Sequence, residues 1–388
     1  MKQFTITAFV CAAFCFFCTN VIVAQGVTTP PNGDNQKSIV TQYIGALAHV
    51  TITYNSPDVT GSNGEDRTGH IWGELVPYGL APNTFGSAKE MPWRAGANEN
   101  TTIAFSHDMQ VEGQPMAAGT YGLHMIPQEN EPWTVIFSKN TTSWGSFFYD
   151  EKEDALRINV EPQEAEFTEW LTYEFIDRKP DQTVVALKWE NLMIPFSIAV
   201  SDVKALYVEK MRNDLKSSTG FNYQSWAAAA NYCAQNDVNL EEALVWADHA
   251  ISAPFIGQEN FGTLQTKATV LLKLNREAEA DEMMMKAIHH PTANVQQIHA
   301  YGRTLIAANK PEKAMEVFQL NKKMHPEDVF TTTVGLARGY AALGDTKKAI
   351  KQWEIALENL PEDQKPNLSY YESELKKLKG EDEGEVGK

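Results

Sequence analysis

At 388 residues with 43% apolar side chains, the chain is long enough for two cores of ordinary size. Its 50 Asp and Glu against 33 Lys and Arg leave a formal charge of −17. That field repels phosphate backbones and sets aside nucleic acid and anionic lipid as partners.

In chain order, Lys2, the apolar run Ile6–Phe17 and the small-residue end Ile22-Val23-Ala24 predict a secretory signal over 1–24, cleaved before Gln25. A periplasmic or secreted location follows. No later run is long and apolar enough to cross a bilayer, so no transmembrane segment is expected once the signal is removed. Cys11, Cys15 and Cys18 fall inside the signal, which leaves Cys233 without an intramolecular disulfide partner. Residues 25–37, rich in Thr, Pro, Asn and Gly, are expected to be a linker.

From Ile39 the pattern changes to short alternating segments. In Ala48–Tyr54 the residues Val50, Ile52 and Tyr54 share one face and His49, Thr51 and Thr53 the other, as a half-buried strand requires. Further strands are predicted at Thr102–Ser106, Met109–Glu112, Gly119–Ile126, Trp133–Ser138, Leu156–Val160, Trp170–Ile176, Thr183–Trp189 and Phe196–Val200. Many short strands with no helix between them predict an antiparallel β-sandwich over 38–200. Its long irregular piece, Asn55–Met91, is broken by Pro57, Gly61, Gly64, Gly69, Gly73, Pro77, Gly79, Pro82 and Gly86.

That piece feeds into Trp93–Thr102, where Arg94, Asn98, Glu99 and Thr101 crowd around Ala95, Gly96 and Ala97. Arg offers a planar donor fork and Glu two acceptor oxygens, so these groups are candidates for holding a ligand. They serve equally as a staple, with Arg94 paired to Glu99 and Asn and Thr satisfying backbone groups.

From Asp202 the period becomes helical. Ala243, Ala280, Ala314 and Ala349 recur at spacings of 37, 34 and 35, the mark of stacked helix hairpins over 201–378. In the last copy Tyr340, Gly344, Ala349, Trp353, Ala356 and Pro361 stand where the tetratricopeptide pattern wants aromatic, turn, small, aromatic, small and Pro residues. The preceding copy keeps Gly302, Phe318 and Pro326 but carries Leu305 and Asn321. The region therefore resembles a degenerate tetratricopeptide array of three to four hairpins, which implies a protein or peptide partner in a concave groove. An acidic, disordered tail is expected over 379–388.

The runs Gly69–Gly79, Trp93–Thr102 and Ala118–Pro127, continued by Trp133–Phe137 and Trp144–Asp150, resemble the bacterial secreted family known as domain of unknown function 2911. The resemblance covers about 38–200 and implies no activity. The chain departs from the family pattern by inserting Leu80–Pro92, by His70 where Arg is usual, and by Ala95 where Thr is usual. His70 thereby joins the candidate ligand-binding residues.

Three sharper chemistries compete with simple binding. A metal can be held by His49, His70, His107 or His124 with Glu99 or Asp108, but the spacing is not diagnostic and no ligand set is assigned. A hydrolase can use Glu99 or His107 as base with Arg94 facing a developing anion, yet no nucleophile elbow or phosphate loop occurs. Trp72, Trp93, Trp133, Trp144, Tyr78 and Tyr149 can stack on sugars, although tryptophan in a sandwich more commonly anchors core and turns. The sequence thus predicts an antiparallel β-sandwich followed by an α-helical tetratricopeptide-like hairpin array, acting as a secreted binding or assembly protein that needs no cofactor. The rival is an envelope hydrolase or metal-dependent enzyme centred on Trp93–Thr102.

Overall fold

The computed structural model describes residues 35–380, which fall into two compact units dividing between Ser201 and Asp202. The expected signal over 1–24, residues 25–34 of the expected linker and residues 381–388 of the expected tail lie outside the described residues.

The β unit is built from strands β1 (Gln36–Ile44), β2 (Ala48–Ser56), β3 (Ala81–Pro82), β4 (Glu90–Met91), β5 (Thr102–Phe105), β6 (Met109–Val111), β7 (Gln114–Met116), β8 (Gly119–Ile126), β9 (Trp133–Ser138), β10 (Asp154–Val160), β11 (Gln163–Arg178) and β12 (Gln182–Ala199). All pairings between these strands are antiparallel, in a six-stranded sheet ordered β1-β2-β5-β8-β9-β10 and a four-stranded sheet ordered β11-β12-β6-β7. β3 and β4 form a separate two-stranded ribbon.

The alternation read in β2 is the one the fold uses: Val50, Ile52 and Tyr54 are buried while His49, Thr51 and Thr53 are not. Side chains from the two sheets meet between them, with Phe137 of β9 edge-on to Phe196 of β12 and Tyr54 of β2 edge-on to Tyr173 of β11. Apolar faces closed in this way are the main stabilising element of a sandwich.

Three expectations need correction here. Gln36 and Lys37 do not close a linker but begin β1, opposite Ser56 and Asn55 of β2. Thr183–Trp189 and Phe196–Val200 are not separate strands: β12 runs on through Pro195. A proline is tolerated because its missing N–H falls between ladders, after the pairing of Met193 with Gln163 and before that of Ile198 with Val111. Lys379, assigned to the tail, ends the last helix and pairs with Glu354 at 2.8 Å.

The second unit is all helical: α1 (Val203–Asp214), α2 (Tyr223–Asn236), α3 (Leu240–Ser252), α4 (Phe261–Lys273), α5 (Glu277–His289), α6 (Val295–Ala307), α7 (Pro311–Met324), α8 (Val329–Ala342), α9 (Thr346–Glu358) and α10 (Leu368–Lys379). Asn222, Asn260, Asn294, Asp328 and Asp345 cap helix starts through their side chains, and Asn260 and Asn294 do so within full capping boxes.

Consecutive helices from α2 to α9 pack as four hairpins, and the register alanines Ala243, Ala280, Ala314 and Ala349 on α3, α5, α7 and α9 are all buried. Phe318 of α7 fills a hole that glycines leave open. A Cβ at Gly302 of α6 would sit 2.4 Å from its ring, and one at Gly335 of α8 would sit 2.7 Å from it. Asn321, standing where the repeat wants a small residue, is accommodated by donating to the carbonyl of Val295 at 2.9 Å. No helix among the described residues is long and apolar enough to cross a membrane.

Candidate functional site

The Trp93–Thr102 stretch is tied to the six-stranded sheet at both ends: Trp93 and Met125 of β8 exchange both backbone hydrogen bonds at 2.8 Å, and the N–H of Leu123 of β8 donates to the carbonyl of Thr101 at 2.8 Å. The chain then turns sharply, with Ala95 at φ 48° and Asn98 at φ 56°, a left-handed region that costs a side-chain-bearing residue about 1 kcal/mol or more. The surroundings hold it there. The carbonyl of Ala95 accepts from Thr101 Oγ1 at 3.2 Å and from Tyr173 Oη at 2.9 Å, so both sheets grip the same oxygen. The Ala97 N–H donates to the carbonyl of Asn55 at 3.1 Å. Gly96 is required by space, since a Cβ there would lie 2.6 Å from Thr101 Oγ1.

The expected Arg94–Glu99 pair is not formed. Glu99 is exposed and accepts from Asn55 Nδ2 at 2.7 Å. Arg94 folds the other way, donating through Nη1 to the carbonyl of Asn98 at 2.6 Å, with its Cζ 5.1 Å from the centre of the Phe147 ring. Gly145, at φ 59°, brings its backbone against the guanidinium so closely that a Cβ would stand 2.3 Å from Cζ. Among the described residues no carboxylate pairs with Arg94. Desolvation pulls its pKa below the ordinary guanidinium value.

Beside this arginine lies a cavity of about 370 Å³. Its wall includes Arg94, Asn98, Ser146, Arg67, Trp93 and Trp189, with Leu75, Val76 and Met91. Ser146 is buried and hydrogen-bonded at 2.8 Å to Nδ1 of buried His124. Burial, and next the charge of Arg94, drive the pKa of that imidazole down to about 4, so the ring is neutral at pH 7. Arg67 is satisfied by Asp58 at 3.0 Å and by the carbonyl of Val59. Trp72 touches Trp93, Trp133 and Trp189 in edge-on contacts, and Trp93 stacks on Trp189 6.2 Å away. These four rings pack on one another, as core anchors do, while Trp144 is exposed.

Of the six candidate residues, Arg94 and Asn98 line the cavity, and Thr101 and Glu99 brace the turn. His70 and His107 are elsewhere. His70 is exposed and pairs with Glu74 at 3.0 Å, which raises its pKa. His107 follows the far end of β5, bonded to Ser106 Oγ at 2.8 Å, roughly 15 Å along the strand direction from Thr102. Sequence reasoning missed Ser146, Arg67 and Trp189, which are contributed by three separate segments. The one local signal was the Trp144-Gly145 pair inside a family motif. Among the described residues no three His, Cys, Asp or Glu side chains cluster as a metal would need.

The helical unit carries a larger concavity of about 890 Å³, lined by α6, α8 and α10. Its wall repeats with the hairpins: Gln296, His299 and Arg303 on α6 recur 35 residues later as Thr331, Val334 and Arg338 on α8. Gln296 Nε2 donates to Thr331 Oγ1 at 3.0 Å, tying the two copies. Burial, then the charges of Arg338 and Arg303, lower the His299 pKa to about 4, and its Nδ1 is buried without a partner. Arg338 lies over the rings of Trp353 and Tyr370 at 5.7 and 5.9 Å and donates to Tyr370 Oη. Among the described residues neither Arg303 nor Arg338 has a carboxylate partner, although Glu327, Asp328 and Asp363 line the same groove.

Residues 35–198 match the family described as "Protein of unknown function (DUF2911)", so the resemblance read from the motif runs holds across the β unit. Among curated proteins none matches the chain. Solved structures similar to the chain include YrrB, described as "a TPR protein with an unusual peptide-binding site". It is 16% identical, covers 47% of this chain and 87% of its own, and has a TM-score of 0.29. A tetratricopeptide repeat protein from Parabacteroides merdae is 15% identical over 46% of this chain and 68% of its own, with a TM-score of 0.33. MamA is 12% identical over 48% and 89%, with a TM-score of 0.30. Scores this low add nothing to the hairpin register that the helices themselves display.

Proposed function

We propose that the protein is a binding or assembly protein of the bacterial envelope, whose helical groove between α6, α8 and α10 takes an extended segment of a partner protein bearing an acidic group. The supporting observation is the pair Arg303 and Arg338. They stand one repeat apart on one groove and both act on His299, and neither is neutralised by a carboxylate of its own chain. A carboxylate delivered by a partner gains a charge-assisted hydrogen bond there, and the neighbouring Tyr370 and Tyr371 supply aromatic contact area.

The enzymatic alternative finds no support in the site. Glu99 is tied to Asn55, and His107 is remote from Arg94. The hydroxyl–imidazole pair Ser146–His124 has a base near 4, about three units below neutral, where proton abstraction is inefficient. The envelope location rests on residues 1–24. Its test is cell fractionation with N-terminal mass spectrometry: a mature chain beginning at Gln25 in the periplasm or medium agrees, and an intact Met1 in the cytoplasm refutes it.

For the groove, selection of a random displayed 12-residue library on the full chain should enrich peptides containing Asp or Glu. That enrichment should disappear for Arg303→Gln combined with Arg338→Gln. Enrichment unchanged in the double variant, or no selected peptide at all, refutes the reading. Because Arg338 packs on Trp353, the exposed Arg303→Gln alone serves as the variant that leaves the fold undisturbed.

A further inference from the structure

We infer that the cavity beside Arg94 in the β unit is a binding site for a small organic anion, a carboxylate on an apolar body, with Arg94 as its charge partner. The charge balance of the wall points there first. In a chain with 17 more acidic than basic residues, this cavity is lined by two arginines and by no Asp or Glu. One arginine is already neutralised, Arg67 by Asp58. Buried Glu190, next in sequence to Trp189, is outside the wall and accepts from the Gly69 N–H. Arg94 alone keeps an uncompensated charge while half-buried, an arrangement that costs free energy until an anion arrives.

The arginine is also held in one place. Its Nη1 is bound to Asn98, its Cζ stands 5.1 Å from the centre of the Phe147 ring and close against the Gly145 backbone, and its Nε and Nη2 have no protein partner among the described residues. Those two N–H groups form one edge of the guanidinium, and such an edge matches the two oxygens of a carboxylate. A second donor stands nearby. With the Nδ1–H tautomer, His124 donates to Ser146 Oγ, which leaves the Ser146 hydroxyl proton for the ligand.

The rest of the wall selects against a bare inorganic anion. Leu75, Val76, Met91, Trp93 and Trp189 are apolar, and about 370 Å³ lies at the low end of small-molecule sites. The left-handed Ala95 and Asn98 fit the same account, since backbone strain persists where the surroundings fix a ligand clamp.

The test is calorimetric titration of the full chain with benzoate, octanoate and indole-3-acetate, each beside its neutral amide, and with inorganic phosphate. At least one carboxylate should bind, with its amide and phosphate each weaker by tenfold or more. Arg94→Met should weaken the carboxylate by about 10- to 100-fold, the usual worth of a charged hydrogen bond. Met91→Trp, which fills the cavity and keeps the charge, should abolish binding and carries the test if Arg94→Met does not fold. The inference is overturned if no carboxylate binds, if the amide or phosphate binds as well as the acid, or if both variants bind as the wild type does.

Discussion

His124 makes the β unit sensitive to acid in a way that can be calculated. The ring is buried, its ordinary pKa of 6.5 falls to about 4 in the folded chain, and desolvation followed by the charge of Arg94 is the cause. Because the unfolded chain takes up the proton first, this group imposes no penalty above pH 6.5. Stability is then lost as pH falls from 6.5 toward 4, where the full penalty of about 3 kcal/mol is reached. Between pH 7 and pH 5 the loss works out at about 2 kcal/mol. The assay is urea unfolding followed by tryptophan fluorescence at both pH values, for the wild type and for His124→Gln. Taking the difference between the two proteins cancels every other titrating group, including His299, whose folded pKa is also lowered to about 4. Gln at 124 keeps a hydrogen-bonding group opposite Ser146 but does not titrate. A wild-type pH dependence no steeper than that of the variant would show that the ring is not desolvated in the way its burial requires.

The fit of Phe318 against glycines predicts a change of sign: Gly302→Ala should destabilise the helical unit by up to about 2 kcal/mol despite a helix propensity gain of about 1, yet stabilise it in a Phe318→Leu background. Circular dichroism at 222 nm during guanidinium unfolding measures both, and a like sign in the two backgrounds refutes the packing argument. Thr101→Val should cost about 1 kcal/mol by taking one of two donors from the strained Ala95 carbonyl, seen as a lower thermal midpoint; an unchanged midpoint means that Tyr173 alone holds the turn. Cys233 is buried, and burial pushes its thiol up to about 11, so a disulfide-exchange reagent at pH 8 should label it only after denaturant is added. Labelling of the native chain at the rate of a free thiol would contradict that burial.

What the sequence disclosed and what it hid divide along physical lines. The alternation of β2 and the 34- to 37-residue recurrence of alanines are local or periodic signals, and each residue carries its own evidence of burial. β1 left little such evidence because, as an edge strand, it exposes Ile39 and Tyr43 and buries only Ile44. Pro195 concealed the unity of β12, since the harm a proline does depends on where the neighbouring ladders stop, and that is a tertiary fact. The same limit explains Arg94. It stands five positions before Glu99, so a local pairing was the natural expectation. The left-handed turns at Ala95 and Asn98 swing the two apart, toward Asn55 for the carboxylate and toward Phe147 for the guanidinium. Gly145 and Ser146 reach Arg94 only because β8, carrying His124, meets Trp93 edge to edge. A charge whose neighbours come from four segments cannot be weighed from its own stretch. Once the fold brings those segments together, what distinguishes Arg94 from every paired arginine of the β unit is the acid it lacks.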